Sequence, residues 1–140
     1  MPYRFFDHTG DIGVDLWAQN AEGLYTAAAD ALAETITDPQ RIEPRARVTA
    51  SLGASGPDLL LADWVSELVY RFDAFQWLTR HATVTLSRSG ERWILHASMD
   101  GETRDPVRHP LKVLVKAVTY HELRVEQMPD GWRGRMVLDV

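Results

Sequence analysis

A short segment near the start of the chain concentrates residues that could bind a cation. Residues 7–13 read Asp-His-Thr-Gly-Asp-Ile-Gly, which places two carboxylates, an imidazole and a hydroxyl between apolar stretches. The chain has no cysteine, so a metal would be held by carboxylate, imidazole or backbone oxygen. Carboxylate oxygens suit hard cations such as Ca²⁺ or Mg²⁺. The candidate ligands are Asp7, Asp11 and Asp15, with Asp139 at the other end of the chain.

Two of these aspartates occupy positions that favour a binding role. Asp11 lies at a turn that leads into an apolar strand, where a carboxylate is costly unless it is bonded. Asp139 lies near the end of a strand with a core pattern, and Val140 beside it would add a backbone oxygen or a free carboxylate. Spacing alone does not separate such a site from ordinary surface aspartates, so both interpretations stay open.

Five histidines are the other candidates for acid–base chemistry or metal binding. No pair among them has a metal-binding spacing such as HExxH. His8 and His121 each lie between a strand and a turn, so each is either a base or ligand or a structural histidine. The chain lacks the nucleophile-elbow, P-loop and dinucleotide-binding motifs. Serine-hydrolase, P-loop and Rossmann functions therefore lose their main support.

A local group of basic residues lies in the second half of an otherwise acidic chain. Its members are Arg104, Arg108, His109, Lys112 and Lys116. Lys116 interrupts an apolar run, so its ammonium group must reach solvent or a partner. The group is either a solvated loop edge or a contact for phosphate or an acidic partner.

Length and composition limit the class of protein. The 140 residues predict one domain over residues 1–140. No apolar run approaches about 20 residues and no signal-peptide core is present, so we expect a soluble cytoplasmic protein without membrane association. The net charge of −5 argues against direct binding to the phosphates of a nucleic acid. If the protein acts on RNA, we therefore expect it to act indirectly, through a partner.

Hydrophobic periodicity predicts two helices between groups of strands. One helix is expected over residues 21–37, and the other opens at residues 55–58 and carries an apolar stripe from Leu61 to Phe72. The predicted strands are residues 2–8, 11–18, 45–52, 82–86, 93–99, 111–120, 123–126 and 132–140. Strand 111–120 is apolar on both faces, which predicts a central position. The order favours an α+β fold with one mixed β-sheet packed by two α-helices on one side.

Three segments of the sequence resemble one family. Residues 3–13 look like the opening motif of archease, usually DHTADIG, and residues 113–121 look like its second signature, close to VKAVTYHGL. Residues 137–140 look like the hydrophobic-Asp-hydrophobic ending of archeases. The three motifs occur in the family's order, and the resemblance covers essentially the whole chain.

The resemblance implies an archease-like fold and a function as a protein cofactor rather than an enzyme. Archeases assist RtcB-type RNA ligases in tRNA splicing or RNA repair, where they promote GTP-dependent formation of the ligase–GMP intermediate and multiple turnover. The family binds a cation, which is calcium in some members, and Mg²⁺ and Mn²⁺ are the alternatives here. The implied metal ligands are Asp11, Asp139 and Val140. Lys116 is the implied ligase contact, and the residues implied to support the site are Asp7, His8, Thr9 and His121.

The chain departs from the family pattern at two positions. Gly10 replaces the usual alanine in the first motif, and Glu122 replaces the usual glycine after the second. If position 122 needs a positive φ, glutamate would be strained there.

Two other functions stay open at this stage. One is a metal-dependent enzyme that acts on a phosphate compound, with Asp11, Asp139 and Lys116 at its centre. The other is a chaperone-like interaction module without metal chemistry. The sequence offers no nucleophile or base with an evident partner, which favours the accessory role over the enzyme.

Overall fold

The computed structural model describes residues 2–140, which form two helices, seven strands and a short 3₁₀ turn at Pro39–Arg41. Helix α1 spans Ala21–Ile36 and helix α2 spans Pro57–Phe75. The strands are β1 (Tyr3–His8), β2 (Asp11–Ala18), β3 (Ala46–Ala54), β4 (Trp77–Ser89), β5 (Arg92–Thr103), β6 (Ala117–Met128) and β7 (Gly131–Asp139). The predicted α+β class with two helices is confirmed.

The strands form two sheets, not the single mixed sheet that the sequence predicted. One sheet has the order β1-β2-β7-β6 and the other β3-β5-β4, and every strand pair in residues 2–140 is antiparallel. Short turns connect three of these pairs, β1–β2, β4–β5 and β6–β7. They are hairpins, and the two strands of a hairpin are antiparallel. The pairing of β2 with β7 brings the two ends of the chain together.

Local chemistry marks where each helix begins. Asn20 caps α1, and its side-chain oxygen accepts a hydrogen bond from the Gly23 N–H at 2.8 Å. Pro57 occupies the first turn of α2, where its missing N–H costs nothing. Gln76 ends α2 in the left-handed region with φ 57°. In residues 2–140 neither helix is long and apolar enough to cross a membrane.

Each helix packs against strands of both sheets. Helix α1 contacts β2 and β4, and α2 contacts β3 and β6. The residues of α1 are buried almost all round, which is expected for a helix covered on two sides. The core includes Trp64, whose indole N–H donates to the Tyr25 carbonyl at 2.9 Å. The helices therefore form a layer shared by both sheets, whereas the sequence predicted helices on one side of one sheet.

The segment 111–116 does not form the central strand that its apolar content predicted. Strand β6 begins only at Ala117 and lies at the edge of its sheet. The preceding residues run past the end of α1, where the Lys112 N–H donates to the Ile36 carbonyl at 2.8 Å. Leu114 is 54% exposed while Val115 is buried, so the run covers the core with one side only. The separately predicted strand 123–126 is part of the same β6.

Glu102 near the end of β5 organises the loop that follows it. Its buried carboxylate accepts hydrogen bonds from Arg108 at 2.6 and 3.1 Å and from the Glu43 N–H at 2.7 Å. His109 is fully buried, with Nδ1 accepting the Asp105 N–H at 2.8 Å and Nε2 lying 3.0 Å from Glu102. The hydrogen bonds from Arg108 lower the pKa of Glu102 to about 2. Arg108 and His109, two members of the predicted basic group, are therefore held by internal contacts with the Glu102 carboxylate.

Replacing Glu102 by glutamine should lower the free energy of unfolding at pH 7 by about 1–3 kcal/mol, because Arg108 and His109 lose a buried acceptor. The pKa of Glu102 lies below its ordinary value of 4.5 in the folded chain. Its stabilisation is therefore complete above about pH 4.5 and is lost as the pH falls toward about 2. In urea unfolding, the deficit of Glu102→Gln should shrink as the pH is lowered through this range. Glu91→Gln, in an exposed turn, is the control, and a deficit that is constant with pH would contradict the assignment.

Candidate functional site

The candidate site lies on the face of the first sheet that is turned away from the helices, here called the open face. Successive side chains of a strand point to opposite faces. On β2, Val14 and Leu16 are buried against the helices, so Asp11 and Asp15 lie on the open face. The register between β2 and β7 places Asp139 on the same face.

Asp11 and Asp139, here called the carboxylate pair, are register partners on neighbouring strands. Directly opposite residues have Cβ atoms about 4.5–5.5 Å apart, so the two carboxylates share one end of the open face. Within residues 2–140 neither forms an ion pair with a lysine or arginine, and the nearest ring nitrogen is Nδ1 of His8, 3.8 Å from Asp11 Oδ2. Facing like charges repel each other, and a bound cation would relieve that repulsion.

Lys116 and Val140 lie next to the carboxylate pair. The Lys116 N–H donates to the Asp139 carbonyl at 2.8 Å, and Ala117 is the register partner of Asp139 on the other side of β7. Val140 follows Asp139 and packs half-buried against the core. The fold thus brings four predicted site residues to one place, while their roles as ligands or ligase contact stay predictions.

Lys116 differs from the other members of the predicted basic group. Arg104 donates to the His109 carbonyl, and the Lys112 ammonium donates to the Glu34 carbonyl at 2.9 Å. The side chain of Lys116 is exposed and has no hydrogen-bond or ion-pair partner within the described range. Its charge is therefore available to an external group.

A bulge in β6 places His121 and Glu122 close to His8. The β6–β7 pairing is interrupted between Thr119 and Arg124, and Glu122 has φ 56°. Nε2 of His8 lies 2.9 Å from Glu122 Oε2, and the two imidazole rings meet edge to face with centroids 4.9 Å apart. Position 122 therefore has the positive φ at which a glutamate is strained. We call His8, His121 and Glu122 the histidine cluster.

Asp7 and Thr9 are the remaining predicted supporting residues. Asp7 is the register partner of Ile12, so its side chain is on the face opposite to that of His8. Thr9 is exposed in the β1–β2 turn. The structure therefore places His8 on the same face as the carboxylate pair and His121 in contact with His8, whereas the Asp7 side chain lies on the opposite face.

Arg135 on β7 neutralises the middle of the open face. Its guanidinium donates to both carboxylate oxygens of Asp15, at 2.7 and 3.1 Å, and to Glu122 at 3.1 Å. These hydrogen bonds lower the pKa of both carboxyl groups below the usual range. Asp15 is therefore committed to Arg135 and is not available as a cation ligand, although the sequence offered it as one.

Phe6 and Gly13 complete the packing around Arg135. The guanidinium carbon lies 4.3 Å from the centroid of the Phe6 ring, which is a cation–π distance. The ring itself occupies the space beside Gly13, where an added Cβ would lie 2.2 Å from it. Gly13 is thus required by close packing. Sequence reasoning missed Arg135 as a site residue, although strand alternation puts it on the same face as Asp139.

Comparison with known proteins identifies the family. The sequence model of the Archease protein family matches residues 3–140. The protein archease of Methanopyrus kandleri is 37% identical over 142 residues, with both chains fully covered. The protein archease of Pyrococcus furiosus is 30% identical over 139 residues, covering 99% of this chain and 98% of its own. The chain belongs to the archease family.

Two solved structures share the fold. The solution structure of Methanobacterium thermoautotrophicum protein 1598 matches with a TM-score of 0.84 at 25% identity, covering 99% of each chain. The crystal structure of a Thermotoga maritima archease, described as a possible chaperone, matches with a TM-score of 0.61 at 19% identity, covering 96% of this chain and 94% of its own. The predicted archease resemblance and fold are confirmed.

The residues around the carboxylate pair fit the hard cation that the archease resemblance implies. Asp11, Asp139 and the main-chain oxygen of Val140 offer oxygen atoms only, and hard cations prefer oxygen. The two carboxylates are register partners and have no lysine or arginine partner in residues 2–140, so a divalent ion would balance their charge. Both the donor type and the local charge therefore suit such an ion.

Replacing either member of the carboxylate pair by asparagine should stabilise the cation-free protein, because it removes the repulsion between facing charges. In a chelator at pH 8, we expect Asp11→Asn and Asp139→Asn each to raise the free energy of unfolding by about 0.2–1 kcal/mol. Urea unfolding measures this, with Asp130→Asn in the exposed β6–β7 turn as the matched control. If both variants are less stable than the control, the carboxylates do not repel each other as the register implies.

Proposed function

We propose that the chain is an accessory protein of an RtcB-type RNA ligase, which promotes GTP-dependent guanylylation and multiple turnover of the ligase in tRNA splicing or RNA repair. Membership of the archease family supports the accessory role. The carboxylate pair with the exposed Lys116 beside it carries the proposal, because these charged groups have no internal partner of opposite full charge within the described residues.

The proposed site holds a divalent cation through Asp11, Asp139 and the main-chain oxygen of Val140. Ca²⁺ is our first choice because the archease resemblance implies it and the proposed ligands are all oxygens, and Mg²⁺ and Mn²⁺ are the alternatives. When bound, the cation would supply positive charge at the end of the open face. Asp11 and Asp139 are held in place by a strand register that the core fixes on the other face of the sheet.

In the proposed complex, this end of the sheet enters the ligase active site. Lys116 would meet a phosphate or an acidic group there, since its side chain is exposed and its backbone is fixed to Asp139. The position of its Cα relative to the carboxylate pair is set by that hydrogen bond. RNA is served only through the ligase in this proposal.

A chaperone-like module is the second candidate, because the Thermotoga maritima relative is described as a possible chaperone. A chaperone that protects the ligase from aggregation would act through its surface as a whole. Its effect would therefore be independent of the cation and of Asp139.

The first test is direct cation binding. Titration calorimetry with Ca²⁺ should give one site in the wild-type protein, and Asp11→Asn and Asp139→Asn should each weaken it at least tenfold, because each removes one charged ligand. Asp130→Asn should bind like the wild type. Equal Ca²⁺ affinity in all four proteins would rule out the carboxylate pair as the site.

The second test is ligase guanylylation. Adding the protein to an RtcB-family ligase with GTP and Mn²⁺ should accelerate ligase–GMP formation and restore multiple turnover. Asp139→Asn and Lys116→Met should lose at least tenfold of that stimulation, since one lacks a cation ligand and the other the exposed ammonium. Lys112→Met, which lies in the same segment but binds the Glu34 carbonyl, is the matched control.

Two outcomes of the second test contradict the proposal. An absence of stimulation removes the accessory role, and equal stimulation by all variants removes the site-based mechanism. Stimulation that is unchanged by Asp139→Asn and accompanied by reduced ligase aggregation would instead indicate the chaperone function.

A further inference from the structure

We propose that the histidine cluster is a second metal site, selective for borderline transition-metal ions such as Zn²⁺ or Co²⁺ and separate from the carboxylate pair. It does not depend on the proposed ligase function. The donor atoms carry the inference, because Nε2 of His8 and Nε2 of His121 lie 2.9 and 3.8 Å from the same oxygen, Oε2 of Glu122. One ligand atom from each residue falls within 4.8 Å of the other two.

These distances are close to what a tetrahedral ion requires. Zinc binds imidazole nitrogen and carboxylate oxygen at about 2.0–2.2 Å, so two tetrahedral ligands lie about 3.4 Å apart. Small rotations of exposed side chains would bring the three donors to that spacing, since the His121 side chain is 66% exposed and that of Glu122 is 35% exposed. Two imidazoles and one carboxylate leave the fourth position open to water.

Neighbouring groups hold the ligands in suitable states. Arg135 binds Oε1 of Glu122 at 3.1 Å, so Oε2 is the oxygen that faces the two histidines. Nδ1 of His8 is inaccessible to solvent and has no hydrogen-bond partner within residues 2–140. Asp11 Oδ2 lies 3.8 Å from that nitrogen. If Nε2 binds a metal, Nδ1 carries the proton and points it toward a carboxylate, which is a common arrangement around metal-bound histidine.

The backbone of β6 is distorted where the cluster forms. A bulge and a left-handed glutamate each cost free energy, and distortions of this kind persist near sites where they aim a side chain. Here the bulge between Thr119 and Arg124 turns His121 and Glu122 back toward His8, which comes from β1 at the far edge of the sheet. Imidazole ligands distinguish this cluster from the all-oxygen carboxylate pair, because imidazole favours zinc and cobalt over calcium.

The test is titration of untagged, chelator-treated protein with CoCl₂ and ZnCl₂, followed by calorimetry and by the visible absorbance of Co²⁺. We expect one ion per chain and an intense tetrahedral Co²⁺ spectrum. His121→Ala and Glu122→Gly should weaken binding at least tenfold and abolish the spectrum. Glu122→Gly also relieves the left-handed strain, so its loss of binding would not come from misfolding.

Two controls separate this site from others. His96→Ala changes an exposed histidine of the second sheet and should bind Co²⁺ like the wild type. Asp139→Asn should keep Co²⁺ binding while it loses Ca²⁺. The proposal is overturned if no Co²⁺ or Zn²⁺ binds, or if His121→Ala and Glu122→Gly bind as tightly as His96→Ala.

Discussion

The antiparallel pairing of β2 with β7 is the constraint on which the rest of the site depends. Its register sets Asp11 opposite Asp139, although 127 residues separate them in sequence. A slip of one residue would turn Asp139 toward the helices and Leu138 toward solvent. The register resists that slip because Val14 and Leu138 are fully buried against the helix layer. Core packing on one face therefore fixes the geometry of the charged groups on the other.

Arg135 balances the negative charge in one part of the open face and not in another. This residue neutralises Asp15 and Glu122 and lies over the Phe6 ring, and no hydrogen bond or ion pair joins it to Asp11 or Asp139 in the described residues. Negative charge is therefore balanced in the middle of the face and left unbalanced at the end where β2 begins. We propose an all-oxygen cation site at that end and a mixed imidazole–carboxylate site beside it.

Local patterns predicted the parts of the fold that depend on local physics. Hydrophobic periodicity predicted both helices, including the apolar stripe from Leu61 to Phe72 in α2, and the strands β1, β2 and β7 were also predicted. The segment 111–116 was predicted as a central strand because its apolar content does not distinguish a strand from a segment laid across the core. Its hydrogen bonds go to Ile36 and Asp139, which are distant in sequence. The division of the strands into two sheets also depends on pairings between residues that are distant in sequence, such as those of β2 with β7.

The contacts of Glu122 could be predicted neither from the sequence pattern nor from the archease resemblance. Its left-handed backbone suits glycine, so the residue type and the local conformation disagree. Such a disagreement persists when surrounding contacts over-determine the conformation, and here Arg135, His8 and His121 all contact the carboxylate. A glycine would fit the backbone without strain but would remove every one of those contacts. The strain is therefore a physical reason to assign the carboxylate, rather than the turn, a function of its own.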